Sequence, residues 1–323
     1  MKLPERNWEN LLLISLVLIF CVLLLVGGVL FFHQLNHSSS HTHVSPSADE
    51  KEDVVTTKNT PKEEEKVLDE KFSSLLAGDG AQYSIYVLFP SWSGPLVKGD
   101  RQQSSASVIK IFILSTAYEM AEKGELDLDE KVRVKHKDMV GGAGVLNGRA
   151  GEPVLSIREL LRLMITESDN TATNVMIDRL TFARIQDYCN TNGFTDTVLR
   201  RKMMDEKALR SGRDNLTTVR DVGEWMRRLK ARKLVSPSAD AAMEQILFAQ
   251  TDTECFPRAL PQAKIAHKTG ELEGLYHDAG IIYDGNKGYV LVIFSSKSAN
   301  RGKTLQTMRR MTEAVNESFL SDN

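Results

Sequence analysis

Ser107 and Lys110, in the segment Ser107-Val108-Ile109-Lys110, are a pair whose types and spacing suit nucleophilic chemistry. On a helix, positions three apart share a face, so the hydroxyl and the amine can approach one another. An amine held away from water loses its proton more readily. It can then take the serine proton and make an alkoxide-like nucleophile. A serine at a helix start also lies near backbone N–H groups that stabilise developing negative charge. The pair is weak alone: Ser-x-x-Lys arises often by chance, and the apolar run from Val108 to Leu114 would equally suit a buried strand.

Two further triplets carry useful groups. In Ser168-Asp169-Asn170, a hydroxyl can relay a proton to a leaving nitrogen and Asn170 can hydrogen-bond a substrate amide. The same residues would also serve as an N-cap, with Ser168 or Asp169 opening a helix over Thr171 to Leu180. In Lys268-Thr269-Gly270, Lys268 offers a charge for a carboxylate and can lower a neighbouring pKa. Thr269 adds a hydroxyl, and Gly270 lets a substrate backbone lie flat against a strand edge. An ordinary strand-end turn would use such residues too. The three groups follow one another at separations of 61 and 100 residues.

The elements that must position these groups are legible in outline. Lys66 to Ala77 has helical spacing, and Tyr83 to Phe89 is rich in β-branched and aromatic residues, as in a strand. From about 104 to 250 the pattern is mostly helical. Ser156 followed by Glu159 is a capping box opening a helix to Ile165, and Thr217 to Lys230 repeats apolar residues at helical spacing. Lys264 to His267, Ala279 to Tyr283 and Tyr289 to Ser295 read as strands, with Asp284-Gly285-Asn286 as the turn between the last two. Ala299 to Leu320 closes the chain as a helix. Strands near both ends with helices between them predict an α+β fold: one antiparallel sheet built from both chain ends, flanked by helices, with an all-helical region inserted.

N-terminal to this domain, assigned to residues 67–323, the character changes. Leu11 to Phe32 is a 22-residue apolar run, long enough to span a hydrocarbon core. Phe31-Phe32-His33 lacks the small residues of a signal-peptide cut site, and bulky Phe20 before Cys21 argues against lipid attachment. Lys2 and Arg6 precede the run, and no Lys or Arg follows until Lys51. The positive-inside rule therefore predicts a cytoplasmic tail (1–10), a single membrane anchor (11–32) and an extracytoplasmic remainder. Residues 33–66, with Ser38-Ser39-Ser40, Pro46, Pro61 and the run Glu63-Glu64-Glu65, read as a flexible polar stalk. The formal net charge of −2 gives no footprint for nucleic acid. Three cysteines, Cys21, Cys189 and Cys255, are too few for a disulfide scaffold; Cys189 and Cys255 are either free, buried thiols or a single pair, and the sequence alone leaves both open. No G-x-S-x-G elbow occurs, and His136, His267 and His277 lack metal-ligand spacing.

Taken together, the order, spacing and context of the triplets resemble the class A serine β-lactamases and the penicillin-binding proteins, whose signature is S-x-x-K, S-D-N and K-T-G. The resemblance covers residues 67–323 and extends to His277-Asp278-Ala279-Gly280-Ile281 and to the glycine-rich Gly141-Gly142-Ala143-Gly144. It implies Ser107 as nucleophile, Lys110 as its acylation base, and Ser168 as proton shuttle. Asn170 would contact a substrate amide, and Lys268 and Thr269 a substrate carboxylate. The backbone N–H groups of Ser107 and of Glu271, which follows Gly270, would form the oxyanion hole. No cofactor is implied, and the partners implied are peptidoglycan stem peptides or β-lactams. One departure matters. Class A enzymes place a water-activating glutamate in T-x-L-x-R-x-E, whereas here Thr197-Val198-Leu199-Arg200-Arg201-Lys202 leads to Met203. That favours a penicillin-binding peptidase or slow β-lactamase over a fast one. A fast enzyme would need Asp205 or Glu206 as a displaced base, and a β-lactam sensor would need a signalling partner. Arg258 and His277 are the candidates for an additional carboxylate-binding group.

Overall fold

The computed structural model describes residues 60–322 except 77 and 79. The tail and anchor, and the stalk as far as residue 59, lie outside the described residues. No helix among the described residues is long and apolar enough to cross a membrane.

From the N-terminal side, α1 (Pro61–Leu76) leads into β1 (Gln82–Leu88) and β2 (Leu96–Lys98). A short strand, β3 (Gln103–Ser104), and a 3₁₀ turn over Ala106–Ile109 introduce the helical middle. It holds α2 (Lys110–Glu122), the paired β4 (Lys131–Arg133) and β5 (Val154–Ser156), α3 (Ile157–Thr166), α4 (Asn170–Leu180) and α5 (Phe182–Thr191). It continues through α6 (Glu206–Arg210), β6 (Leu216–Thr217), α7 (Val219–Lys230) and α8 (Pro237–Phe248). After α9 (Phe256–Ala259), the chain returns through β7 (Lys264–Leu272), β8 (Leu275–Asp284) and β9 (Lys287–Ser296) to α10 (Arg301–Asp322).

Five strands make one antiparallel sheet in the order β2-β1-β9-β8-β7. The ends of the chain meet where β1 pairs with β9, Ile85 opposite Ile293. Successive side chains of a strand point to opposite faces, and β9 shows why its apolar run is continuous. Leu291 and Ile293 pack with Phe72 of α1 and Met308, Met311 and Phe319 of α10. Val290, Val292 and Phe294 pack with Phe112 of α2 and Trp225 of α7 on the other face. Both faces are covered, which leaves β7 as a free edge beside the 3₁₀ turn.

Two elements differ from their sequence reading. Residues 61–66 belong to α1 rather than to the stalk. Pro61 occupies the first helical position, where its missing N–H costs nothing, and Glu63 accepts from the N–H of Thr60 at 2.8 Å. The acidic run thus lies where the helix dipole favours negative charge, and Glu64 is buried against the Trp92 indole. The Val108–Leu114 run is a turn followed by a helix, and α2 is buried on nearly every side. A helix enclosed all round needs no polar face, so its sequence shows no amphipathic period. Cys189 and Cys255 are free and buried.

Candidate active site

Two residues beside Ser107 hold a strained backbone. Ala106, immediately before Ser107, has φ of 44°, and Ser168 has φ of 51°, a left-handed conformation that side chains with a Cβ seldom adopt. Surrounding contacts hold both in place. Ser105 is buried and donates both its N–H (2.9 Å) and its hydroxyl (3.0 Å) to the Asn215 carbonyl. The Asn215 side chain in turn accepts from the N–H groups of Arg200 and Arg201 and donates to the Arg201 carbonyl. The turn carrying Ser107 is therefore tied to both ends of the 200–215 loop.

Lys110 is completely buried at the start of α2. Its Nζ donates to the Ser168 carbonyl (2.6 Å), the Ser168 hydroxyl (3.1 Å) and Asn170 Oδ1 (3.0 Å). Burial, followed by the nearby charge of Lys268, holds the Lys110 pKa well below the ordinary amine range, with Asp169 opposing. This is the physical condition for an amine that accepts a proton from a neighbouring hydroxyl. Lys268, equally buried, donates from the opposite side to the Ser168 hydroxyl (3.1 Å) and to the Thr269 carbonyl (2.7 Å). The Ser168 oxygen thus stands between two amines.

The middle triplet serves both readings of its sequence. Asp169 caps α4 by accepting from Ala172 N at 2.8 Å, while its other oxygen accepts from Val145 N (2.7 Å) and Leu146 N (2.8 Å). This pins the glycine-rich loop over the site. Gly144 has φ of 116°, and a Cβ there would lie 2.3 Å from the Asp169 carboxylate, so the approach requires glycine. Asn170 closes the connection, its amide donating to Gly141 O at 3.1 Å. Asp169→Ala would orphan three N–H groups, two of them buried. We expect a loss of roughly 2–5 kcal/mol in denaturant unfolding. An unchanged midpoint would show that the loop is held otherwise.

On the sheet side, a Cβ on Gly270 would come within 3.1 Å of Ser107 N, so glycine lets the free edge of β7 close on the turn carrying Ser107. Glu271, the next residue, is exposed and held by Arg301 through two bonds of 2.9 and 3.0 Å. His277 is buried, donates from Nε2 to the Ser104 carbonyl (2.9 Å) and stacks on Phe294. Burial pushes its pKa down to about 4, so it is neutral and supplies no cation for a carboxylate. Arg258 is an exposed partner of Glu254 on α9. Lys268 is the buried cation of this region. Burial lowers its pKa to about 8, with Asp252 and Asp278 opposing. Its charge is therefore present below about pH 8 and lost above it. Acylation by a carboxylate-bearing β-lactam should fall as pH rises through 8, and Lys268→Met should flatten that limb; a pH-rate profile identical in both proteins would remove Lys268 from this role.

A cavity of about 370 Å³ receives Ser107, Gly142, Asn170, Met203, Met204, Glu206 and Glu271. Met203 is fixed there: its N–H donates to Asn174 Oδ1 (2.8 Å) and its carbonyl accepts from Asn174 Nδ2 (3.1 Å). The loop is braced by buried Arg201, whose Nε donates to the half-buried Asp214 Oδ1 at 2.8 Å. Asp205 is spent as the cap of α6, accepting from Ala208 N. Glu206 lines the cavity while bonded to Arg210. The bracing residues Asn174, Arg201, Asp214 and Asn215 carry no local motif; only the fold brings them together.

The model of the beta-lactamase enzyme family matches residues 66–319. A 75-residue stretch is 36% identical to beta-lactamase BRO-1 of Moraxella catarrhalis, covering 23% of this chain and about a quarter (24%) of that protein's length. Among solved structures, a beta-lactamase of Sphaerobacter thermophilus superposes with a TM-score of 0.73 at 26% identity, over 78% of this chain and 97% of that one. PBP-A superposes with a TM-score of 0.72 at 26% identity, over 79% and 96%. A PBP-A variant solved as an acyl-enzyme complex with penicillin G shares the fold, with a TM-score of 0.72 at 24% identity over 81% and 98%. With its serine, two buried lysines and bridging Ser168 on this frame, the chain belongs to the beta-lactamase enzyme family, in its class A-like, serine hydrolase branch.

Proposed function

We propose that this protein is a membrane-anchored serine peptidase acting on acyl-D-Ala-D-Ala-like stem peptides, for which β-lactams are readily acylating and slowly released substrates. The observation that carries the reading is the pairing of a complete acylation apparatus with Met203 at the position of the water-activating base. Ser107 Oγ attacks the substrate carbonyl as Lys110 takes its proton, and the N–H groups of Ser107 and Glu271 receive the oxyanion. The C–N bond then breaks as the Ser168 hydroxyl gives its proton to the leaving nitrogen and regains one from Lys110. Water hydrolyses the ester. In a peptide reaction the amine has departed and leaves space for that water. In a β-lactam adduct it stays tethered and obstructs the approach.

The acyl-enzyme complex of the PBP-A variant with penicillin G supports β-lactam capture by this site. A second reading, a fast β-lactamase, is favoured by Glu206, which lines the same cavity as Ser107. The two are separated by assaying D-alanine release from an acyl-D-Ala-D-Ala peptide beside hydrolysis of a chromogenic β-lactam. We expect turnover of the peptide and a stoichiometric burst with the β-lactam; rapid β-lactam turnover with an inert peptide would overturn the proposal. Anchoring through residues 11–32 places the domain at the peptidoglycan face of the membrane. Recovery of the mature protein as a soluble form beginning near residue 33 would contradict it.

A further inference from the structure

A row of cross-strand residues runs beneath the turn that carries Ser107. Gly270 of β7 lies opposite His277 of β8, His277 lies opposite Phe294 of β9, and Phe294 lies opposite Ser84 of β1. Facing residues of an antiparallel pair point to the same side of the sheet, so the four share one face. The chain leading to Ser107 is tied along this row. Gln103 Nε2 donates to Ser84 Oγ at 2.9 Å, and His277 Nε2 donates to the Ser104 carbonyl at 2.9 Å. At Gly270 the missing Cβ lets Ser107 N approach the strand.

His277 is the unusual member of the row. Its ring is 3% exposed and stacks on Phe294 with centroids 4.1 Å apart. Burial keeps it neutral at physiological pH. The Ser104 carbonyl can only accept, so the proton sits on Nε2 and Nδ1 is left as an acceptor. Nδ1 has no hydrogen-bond partner among the described residues. The Tyr276 carbonyl beside the ring is an acceptor too, and it already receives the Ser295 hydroxyl at 2.8 Å. A buried acceptor without a donor costs free energy. A phenyl ring would fill this space and stack on Phe294 without that cost. What the imidazole adds is one donor, and that donor holds the residue three before Ser107.

The bond joins the two halves of the expected oxyanion hole. β8, from which His277 projects, pairs with β7 and so places Glu271, the residue after Gly270. Ser104 leads through buried Ser105 into the turn that places Ser107. Asn215 holds Ser105 from the loop side; His277 holds Ser104 from the sheet side.

We propose that His277 is a positioning residue, which fixes the separation of the Ser107 and Glu271 N–H groups through its bond to the Ser104 carbonyl. This role rests on the serine acyl-enzyme mechanism proposed for Ser107. The substrate carbonyl oxygen gains charge only as the nucleophile adds, so a displaced donor costs rate more than it costs ground-state binding.

The test uses the full-length chain in detergent micelles and benzylpenicillin labelled with carbon-13 at the lactam carbonyl. Stopped-flow saturation kinetics give the acylation rate constant and the half-saturating concentration. The infrared band of the ester carbonyl in the adduct reports the oxyanion contacts, since its frequency falls as hydrogen bonds to it strengthen. For His277→Phe we expect a rate constant lower by about tenfold or more, toward the ~10²–10³-fold cost of losing an oxyanion donor. The half-saturating concentration should stay within about twofold of the parent's, and the carbonyl band should move to higher frequency. His277→Asn keeps an amide too short to reach Ser104 and should behave alike; it decides the matter if the phenylalanine variant does not fold. His277→Gln, whose amide nitrogen can take the place of Nε2, should recover most of the rate and the band. The proposal fails if the Phe or Asn variant acylates as the parent does, or if its rate falls while the band stays in place. It fails also if the loss is carried by the half-saturating concentration. A parent that forms no adduct would overturn the acyl-enzyme mechanism itself, whereas a parent adduct with unchanged variants overturns only the role of His277.

Discussion

Ser107→Ala is expected to abolish covalent labelling by a fluorescent penicillin while leaving the thermal unfolding midpoint close to that of the parent. Ser107 is only partly buried, and no hydrogen bond of its side chain supports the fold. The apparatus around it does not depend on its oxygen either. Lys110 is held by Ser168 and Asn170, and Lys268 by Ser168 and Thr269. Removing the hydroxyl therefore leaves both amines with the partners they already have. Ser168 cannot substitute, because its oxygen is already engaged by both amines and its backbone is fixed at positive φ. Labelling that persists in Ser107→Ala would place the nucleophile elsewhere. Loss of labelling together with collapse of the fold would make the variant uninformative, and Ser107→Cys would then report whether a nucleophile at this position still reacts.

The second large effect concerns Met203. A thioether cannot take a proton from water, and general-base catalysis typically contributes about 10²–10⁴-fold. Met203→Glu should accelerate breakdown of the benzylpenicillin adduct toward that range. The backbone at 203 is held at both its N–H and its carbonyl by Asn174, and the loop is braced by Arg201 and Asp214, so a new side chain is presented from a fixed frame. Met203 lies in the cavity that also receives Ser107, so the carboxylate would be delivered to the ester side of the loop. Single-turnover release of penicilloate, measured after excess antibiotic is removed, gives the rate. An unchanged rate would shift attention to Glu206, whose replacement by glutamine would then be the informative variant. Asp205 is the weaker choice, since its carboxylate caps α6.

Much of this site was readable from the chain because catalysis restricts residue types at spacings set by secondary structure. Ser107 and Lys110 lie within one turn, and Lys268 to Gly270 lie within one strand. Their separations are preserved by the fold and survive in the sequence. The parts that were not readable depend on tertiary partners. Nothing local tells that Asn215 receives the buried Ser105, that Asn174 holds the backbone of Met203, or that Arg201 reaches Asp214. Ser168-Asp169-Asn170 combines a cap with a site residue: Asp169 caps α4 and pins the glycine loop, while the strained Ser168 turns toward the lysines. The start of α1 was hidden by composition, because Pro61 and three glutamates resemble a solvated linker. Proline at the first position and acids in the first turn also suit a helix start. The apolar stretch through α2 gave no period because the helix is enclosed on all sides.

The most direct test of a serine acyl-enzyme with impaired deacylation is an intact-mass time course of the full-length wild-type chain with benzylpenicillin, followed by peptide mapping. Rapid, stoichiometric addition of one penicillin, located on Ser107, is expected to persist after free antibiotic is removed. An adduct mapped to any other residue, or no adduct together with no hydrolysis, would contradict it.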